Sequence, residues 1–342
     1  MQPFSKFFRA SQSQKHGRTA FTTKIPVLFL GGTGYVGGTF LSRILADPAL
    51  LSNLDITLYI RSSEKAKYIE DEFPFLKTVI GTTAELHRLE QLAELAHVVV
   101  NFVSADDTDM AQALLRGLKK RHRRLNDRPF VLHTTGTGVL VDFSRKMGNF
   151  ITDDIYSDMD VERLDRIPAD ALHRPVDLLF LEADKEDPAL IRDALVRKRV
   201  GIIGEGQAIW DNVHVEDLAD LFAIILRRML SDPASLAHGR EGYFFAENGE
   251  HLWRELSARV ADVLYALGAI DSPELLKFET EDGIGEFAKN EPYVFANGTN
   301  ARSRAVRARQ QLGWTPMRGL NDLWASLKPE AEALIAEMGM RC

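Results

Sequence analysis

Three glycines, Gly31, Gly34 and Gly37, recur at every third position within the stretch from Ile25 to Gly38. The apolar run Ile25 to Leu30 precedes them and reads as a buried strand, and the pattern Phe40, Leu41, Ile44, Leu45 after them reads as an amphipathic helix. Glycines so placed make the turn tight, let backbone amides approach a diphosphate, and let helix pack closely on strand. The helix opening adds N–H groups without intrahelical partners and about half a positive charge. The chemistry indicated is dinucleotide binding, with Gly31, Thr33, Gly34, Tyr35, Val36 and Gly37 around the diphosphate.

A second set of candidates follows the next strand, Asp55 to Ile60. An acidic residue there would bond the ribose hydroxyls of NAD. The chain instead has Arg61 and Ser62, with Lys65 one turn on, residues suited to a 2′-phosphate. A hydrogen bond to a charged group is worth about 1.5–3 kcal/mol, so roughly a 10- to 150-fold preference for NADP over NAD is expected. The plain alternative is a solvated basic turn.

Hydroxyls gather at Thr134, Thr135 and Thr137, directly after the run Phe130 to His133. Thr135 is the first choice for a hydroxyl that orients a substrate and Thr137 the second, while Thr134 is placed with the cofactor; a threonine bonding its own turn is the alternative. His173 and Asp177 stand four residues apart on a predicted helix, where they could meet as a carboxylate-supported imidazole. The simpler reading is a helix opening with a surface histidine and an acid favoured by the dipole.

The elements that must position these groups alternate. After the first strand and helix come Asp55–Ile60, a helix, Thr78–Ile80, a helix over about 83–95, the apolar run His97–Val103, a basic helix over about 108–123, and Phe130–His133. This order predicts an α/β fold, a doubly wound parallel sheet, with a smaller mixed α/β C-terminal region on the substrate side. Three acids, Asp106, Asp107 and Asp109, read as a solvated helix start. Later come a helix over Pro188–Lys198, strands at 200–203 and 242–246, a strand feeding a helix across 210–229, and helices over about 251–267 and 302–312. His214 and Asp217 are expected to close that strand–helix junction, with Asp217 as an N-cap. The expected organisation is a basic leader at 1–24, a nucleotide-binding core at 25–186 and a C-terminal half at 187–342.

With these features the chain resembles the extended short-chain dehydrogenase/reductases, in the group of NAD-dependent epimerase/dehydratases and their atypical relatives. The carriers are the Gly31, Gly34, Gly37 spacing, the Val213–Leu218 stretch, and Asn300-Ala-Arg302 with Leu312-Gly-Trp314-Thr-Pro316. The resemblance implies that Val103 and Ser104 pass near the adenine ribose and pyrophosphate. It also implies catalysis by a Tyr-x-x-x-Lys pair with a Ser or Thr after the fifth strand. At the matching spacing stand His173 and Asp177, and the other candidate, Tyr156, has Asp160 four residues on. A sixth strand and substrate loop are also missing: Glu182 to Asp187 runs straight into Pro188, leaving an unfinished sheet edge or drawing Val176 to Leu181 into the strand slot. An NADP(H)-dependent oxidoreductase on a small carbonyl or alcohol, with Thr135 orienting the substrate and His173 or a water handling the proton, is the first expectation. A non-catalytic NADP-sensing or scaffold protein is the second, and a sugar-nucleotide epimerase or dehydratase the third. Relatives commonly pair through helices, so a homodimer is an expected assembly.

Bulk properties narrow the partners. Of 342 residues, 45% are hydrophobic and 27% charged, as in ordinary globular proteins, and the net charge of −7 argues against nucleic acid. No apolar run approaches the roughly 20 residues that cross a bilayer. The single cysteine, Cys342, cannot form an intrachain disulfide and fits a reducing compartment. The histidines show no zinc-ligand spacing. Residues 1–24 carry Lys6, Arg9, Lys15, Arg18 and Lys24 with no acid. They read as a disordered leader on a cytoplasmic protein, with a transit peptide to the mitochondrial matrix as the alternative.

Overall fold

The computed structural model describes residues 24–141, 143, 145–180, 199–288 and 296–338. The leader up to residue 23, residues 182–187, the helix expected over Pro188–Lys198, and Cys342 lie outside the described residues. No helix among the described residues is long and apolar enough to cross a membrane. The chain divides into two compact units. Among the described residues the first holds 24–136, 168–180 and 215–243, and the second holds the rest. The units interleave along the chain instead of meeting at a single boundary near 186, because later segments return to the first unit.

In the first unit, β1 (Ile25–Leu30), β2 (Leu54–Ile60), β3 (Lys77–Ile80), β4 (Val98–Asn101) and β5 (Phe130–His133) form one sheet in the order β3-β2-β1-β4-β5. Every pairing in it is parallel. The order reverses between β1 and β4, which opens a crevice at the C-terminal strand ends where doubly wound folds bind ligands. Register brings those ends level, with Leu30 opposite both Tyr59 and Asn101, and Asn101 opposite His133. The connecting helices are α1 (Tyr35–Leu45), α2 (Ser63–Glu72), α3 (Leu86–Leu95) and α4 (Thr108–Leu125).

All four residues of β4 are buried, which explains its unbroken apolar run. One apolar cluster joins Leu28, Leu30 and Val99 of the sheet to Leu89, Met110, Leu114 and Leu118 of the helices. A second is aromatic. Phe102 meets Phe29 and Phe40 at centroid distances of 5.7 Å and Phe222 at 4.7 Å. Phe222 lies on α6 (Val215–Ser231), which also bonds Arg43 of α1 through Glu216 and Asp220. This packing returns a segment beyond residue 200 to the parallel sheet. Asp217 is buried in the first turn of α6 and is not its N-cap.

The run from Val176 is helical through Phe180, within α5 (Arg174–Phe180), and so does not fill a strand slot. Among the described residues β5 ends the sheet.

In the second unit, short strands pair two by two: β6 (Tyr156–Ser157) with β11 (Ser303–Arg304), β7 (Gly201–Ile203) with β10 (Leu276–Phe278), and β8 (Ile209–Asp211) with β9 (Glu250–Leu252). The helices of the unit include α7 (Trp253–Ala266) and α9 (Leu320–Glu337), with α8 (Val306–Leu312) between them in sequence. Val260, Ala261, Leu264, Leu327, Ala331 and Ile335 form its main core. Two expectations need correction. The strand expected at 242–246 does not form, because the Phe245 amide donates to the buried Asp158 carboxylate at 3.0 Å instead of to a ladder. The helix expected from Arg302 starts at Val306, since Ser303 and Arg304 are spent on β6. Tyr156 lies in β6 under the Arg163 guanidinium, and Asp160 caps the next helix by accepting from the Arg163 amide.

Candidate functional site

The glycine turn is built backbone against backbone. Gly31 adopts φ +83°, and a side-chain carbon there would lie 2.6 Å from the Phe102 carbonyl oxygen. At Gly37 such a carbon would lie 2.3 Å from the Gly31 carbonyl oxygen, so helix and strand touch only because both positions lack one. The Gly34 amide donates to Gly31 O at 2.9 Å and closes the turn. Gly34 is also the N-cap of α1, which has no side-chain cap and no acid in its first turn. The positive end of the helix, with Val36 and Gly37 in its first turn, is thus left to an anion. Tyr35 at its first position is largely exposed.

The end of β2 divides its three candidates. Arg61 is exposed and, among the described residues, engaged in no hydrogen bond or ion pair. Ser62 caps α2 by accepting from the Lys65 amide at 3.2 Å. Lys65 Nζ reaches back to donate to Thr33 O at 3.4 Å, tying this end to the glycine turn. At the end of β4, Val103 N donates to Asn101 Oδ1 at 3.2 Å, and Ser104 Oγ accepts from the amides of Asp106 and Asp107, each at 3.1 Å. These residues shape the loop. Asp107 in turn caps α4 through Met110 N at 2.8 Å. Asn101 Nδ2 lies 2.9 Å from His133 Nδ1, a buried bond that ties β4 to β5. Thr134, next along, donates its amide to Asn101 O at 3.2 Å, while its buried hydroxyl has no hydrogen-bond partner among the described residues.

Beyond Thr134 lies a polar cluster. Asp177 of α5 is 0% exposed. Thr135 Oγ1 donates to its Oδ1 at 2.7 Å, and Tyr243 Oη donates to its Oδ2 at 3.3 Å. Arg174 Nη1 donates to Tyr243 Oη at 2.9 Å. Burial pushes the Asp177 carboxyl up to about 7, and the Thr135 bond, the Arg174 and His173 charges and the Tyr243 bond offset only part of that rise.

The expected His173–Asp177 pairing is corrected by this geometry. His173 directly precedes α5 with a left-handed backbone, φ 65°, and although its carbonyl accepts the Asp177 amide at 3.0 Å, its imidazole is bonded to a different acid. Its Nδ1 lies 2.8 Å from Asp106 Oδ1 instead. Asp106 is thus a hydrogen-bond partner of the His173 ring and not merely part of a solvated helix start. Thr137 belongs to the second unit, where it opens a 3-10 turn with its hydroxyl buried. Tyr243 and Arg174 escaped the sequence reading. The only signal for Arg174 was its place beside His173, and Tyr243 was read as part of a strand.

The residues present fit a dinucleotide. A side-chain carbon would close the cradle at Gly31 and Gly37, the helix above it is uncapped, a basic side chain stands uncommitted after β2, and a buried hydroxyl lies after β5.

No family model matches the chain. It is 27% identical over 348 residues to the oxidase ucsJ of an Acremonium species, across 89% of this chain and 97% of that protein. It is 25% identical over 323 residues to an uncharacterized protein of Saccharomyces cerevisiae, across 85% and 95%. Among solved structures it is similar to dTDP-glucose 4,6-dehydratase of Bacillus anthracis in complex with NAD, with TM-score 0.55 and 15% identity across 90% and 96% of the two chains. The dTDP-glucose 4,6-dehydratase DesIV of Streptomyces venezuelae, with NAD and TYD bound, gives 0.58 and 16% across 90% and 97%. UDP-glucose 4-epimerase of Thermotoga maritima gives 0.54 and 12% across 92% and 100%. The fold is the Rossmann fold of these epimerases and dehydratases.

Proposed function

We propose that the protein is a nicotinamide-dinucleotide-dependent oxidoreductase of the short-chain dehydrogenase/reductase type, preferring NADP(H), that acts on a small carbonyl or alcohol at a non-standard site. The observation that carries this reading is the Asp177 cluster: a buried carboxyl that holds a proton near neutral pH, bonded to two hydroxyls, in the unit that also carries the glycine turn. The oxidase relative supports redox chemistry over a purely structural role. NAD in the neighbouring dehydratases supports the cofactor class, and Arg61 with Lys65 supports the phosphorylated form.

In this reading the first-turn amides of α1, with Gly31, Thr33 and Gly34, hold the diphosphate, and Arg61 with Lys65 binds the 2′-phosphate. When bound, the dinucleotide supplies or takes up the two electrons and the hydrogen exchanged with substrate carbon. Thr135 fixes the Asp177 carboxyl through Oδ1, and Asp177 stores the proton that the substrate oxygen gains or loses. An acid–base group so poised contributes about 10²–10⁴ in rate.

A second reading, nucleotide sensing without turnover, is favoured by one observation: His173 and Asp177 stand at the spacing where the resemblance implies Tyr and Lys. One experiment separates the two. NADPH is incubated with the protein and a panel of carbonyls, and its absorbance is followed; in parallel, dTDP- and UDP-sugars are incubated with the protein and the oxidised dinucleotide, and the sugar products are separated. Consumption with a carbonyl supports the oxidoreductase, and conversion of a nucleotide sugar without net change in dinucleotide absorbance moves the substrate to that class. Tight binding with neither consumption nor conversion in any mixture supports sensing.

A further inference from the structure

We propose that Tyr243 is the residue that passes the proton between the substrate oxygen and Asp177, with Arg174 fixing its phenol oxygen. This rests on the oxidoreductase reading above and assigns the proton-transfer step within that site.

The reason lies in access. Asp177 has no exposed surface, so it can exchange a proton with a substrate only through the hydroxyls bonded to it. Thr135 is itself buried, at 7% exposure, and donates its single hydroxyl hydrogen to Oδ1. Tyr243 is half-buried, which makes it the more open of the two. Its oxygen accepts from Arg174, so negative charge that develops there as the proton leaves faces a cation. The 3.3 Å separation from Oδ2 leaves room to tighten, as catalytic hydrogen bonds do when a ligand binds.

The protonation state of Asp177 decides which way the phenol points. With Asp177 ionised, Tyr243 donates to Oδ2. With a proton on Oδ2, the carboxyl donates to Tyr243 Oη, and the phenol hydrogen is released toward a substrate oxygen. In the reducing direction the carbonyl π bond opens as two electrons and a hydrogen arrive at carbon from the dinucleotide. The Tyr243 O–H bond breaks and an O–H bond forms on the former carbonyl oxygen. The Asp177 O–H bond then breaks to restore the phenol, and after product leaves the carboxylate recovers a proton that enters from solvent through the Tyr243 hydroxyl. Oxidation runs the same transfers backward. Among the described residues, the charged groups placed around this pair include Arg174, and His173 with its partner Asp106.

Tyr243→Phe, which keeps the ring, is the test. Three readouts are taken: NADPH affinity, the rate of a single turnover, and the ultraviolet difference titration of the phenol, obtained by subtracting the variant from the wild type. The expected result is NADPH affinity within threefold of wild type and a single-turnover rate lower by about 10²-fold or more. The titration should respond to its neighbours, with Arg174→Met moving the midpoint to higher pH and Asp177→Asn moving it to lower pH. Turnover by Tyr243→Phe at the wild-type rate overturns the proposal and leaves the oxidoreductase reading intact. A phenol titration that neither neighbour moves overturns it as well. A wild-type protein that binds NADPH but consumes none with any carbonyl overturns the reading beneath, and the proposal with it.

Discussion

Thr135 Oγ1 and Asp177 Oδ1 lie 2.7 Å apart, joining residues 42 positions distant in sequence through a buried bond. The bond links the end of β5 to α5 and gives the carboxyl its shortest hydroxyl contact. A hydrogen bond to a charged group contributes about 1.5–3 kcal/mol, and a buried acceptor left without its donor adds to the loss. Thr135→Val should therefore destabilise the protein by about 1–3 kcal/mol in urea unfolding. It should also raise the Asp177 titration above its wild-type position, read from carboxyl NMR shifts. Unchanged stability together with an unchanged titration would show that the bond is not made in solution.

Asp177 should also write itself into the pH dependence of stability. Its carboxyl is pushed up to about 7 in the folded protein against 3.8 for an unperturbed aspartate, so between those values the folded state holds the extra proton. Stability contributed by the neutral carboxyl is present at low pH and is lost as pH rises from about 4 to about 7, by at most roughly 4 kcal/mol. Asp177→Asn should flatten that decline, measured by urea unfolding at stepped pH. A wild-type curve that rises across the same window without a component removed by Asp177→Asn would contradict the assignment.

How far the chain could be read before its coordinates follows the range of the interactions. The glycine turn and β1 through β5 were legible because each depends on neighbours in sequence: an apolar run, a breaker, then a helical period. Thr135 and Asp177 were both singled out, but Asp177 was given the wrong partner. The contact that claims His173 comes from Asp106, 67 residues away, and the backbone at His173 is left-handed, neither of which a spacing rule registers. Tyr243 was hidden by its surroundings, since Gly242 to Ala246 alternates like a strand. What prevents a ladder there is the amide of Phe245 bonding to Asp158, an interaction across 87 residues. The cap made by Ser62 was likewise open to a simple reading, because a serine before a helix commonly serves that role.

Arg61 should govern the choice of dinucleotide. Among the described residues it is exposed and engaged in no hydrogen bond or ion pair, whereas Ser62 is spent on a cap and Lys65 contacts the glycine turn. Arg61→Glu should lower the ratio of NADPH to NADH affinity by about tenfold or more, through loss of a cation and repulsion of the 2′-phosphate. The measurement is a pair of fluorescence titrations on each protein. An unchanged ratio would move phosphate recognition elsewhere.

The second unit carries its own acid sensitivity at His251. Burial holds this imidazole down to about 4, against 6.5 for an unperturbed histidine. The ring packs edge-on to Trp253 at 5.1 Å. Between those pH values the unfolded chain binds the additional proton, so stability falls as pH drops from about 6.5 toward 4, by at most roughly 3 kcal/mol. His251→Phe should remove this component from the acid limb of the unfolding curve. An acid limb identical in the variant would place the sensitivity on other groups.

Calorimetric titration of NADPH into the wild type and into Gly34→Asp probes the nucleotide site with the fewest intermediate assumptions. Gly34 is the N-cap of α1, and aspartate is a favoured N-cap, so the variant should keep or gain thermal stability. Its carboxylate would occupy the first-turn amides and repel a diphosphate. The expected result is saturable binding to the wild type and affinity weakened by about 100-fold or more in a folded Gly34→Asp. A wild type that binds neither NADPH nor NADH, or a variant that binds NADPH as the wild type does, would show that this helix does not hold a dinucleotide.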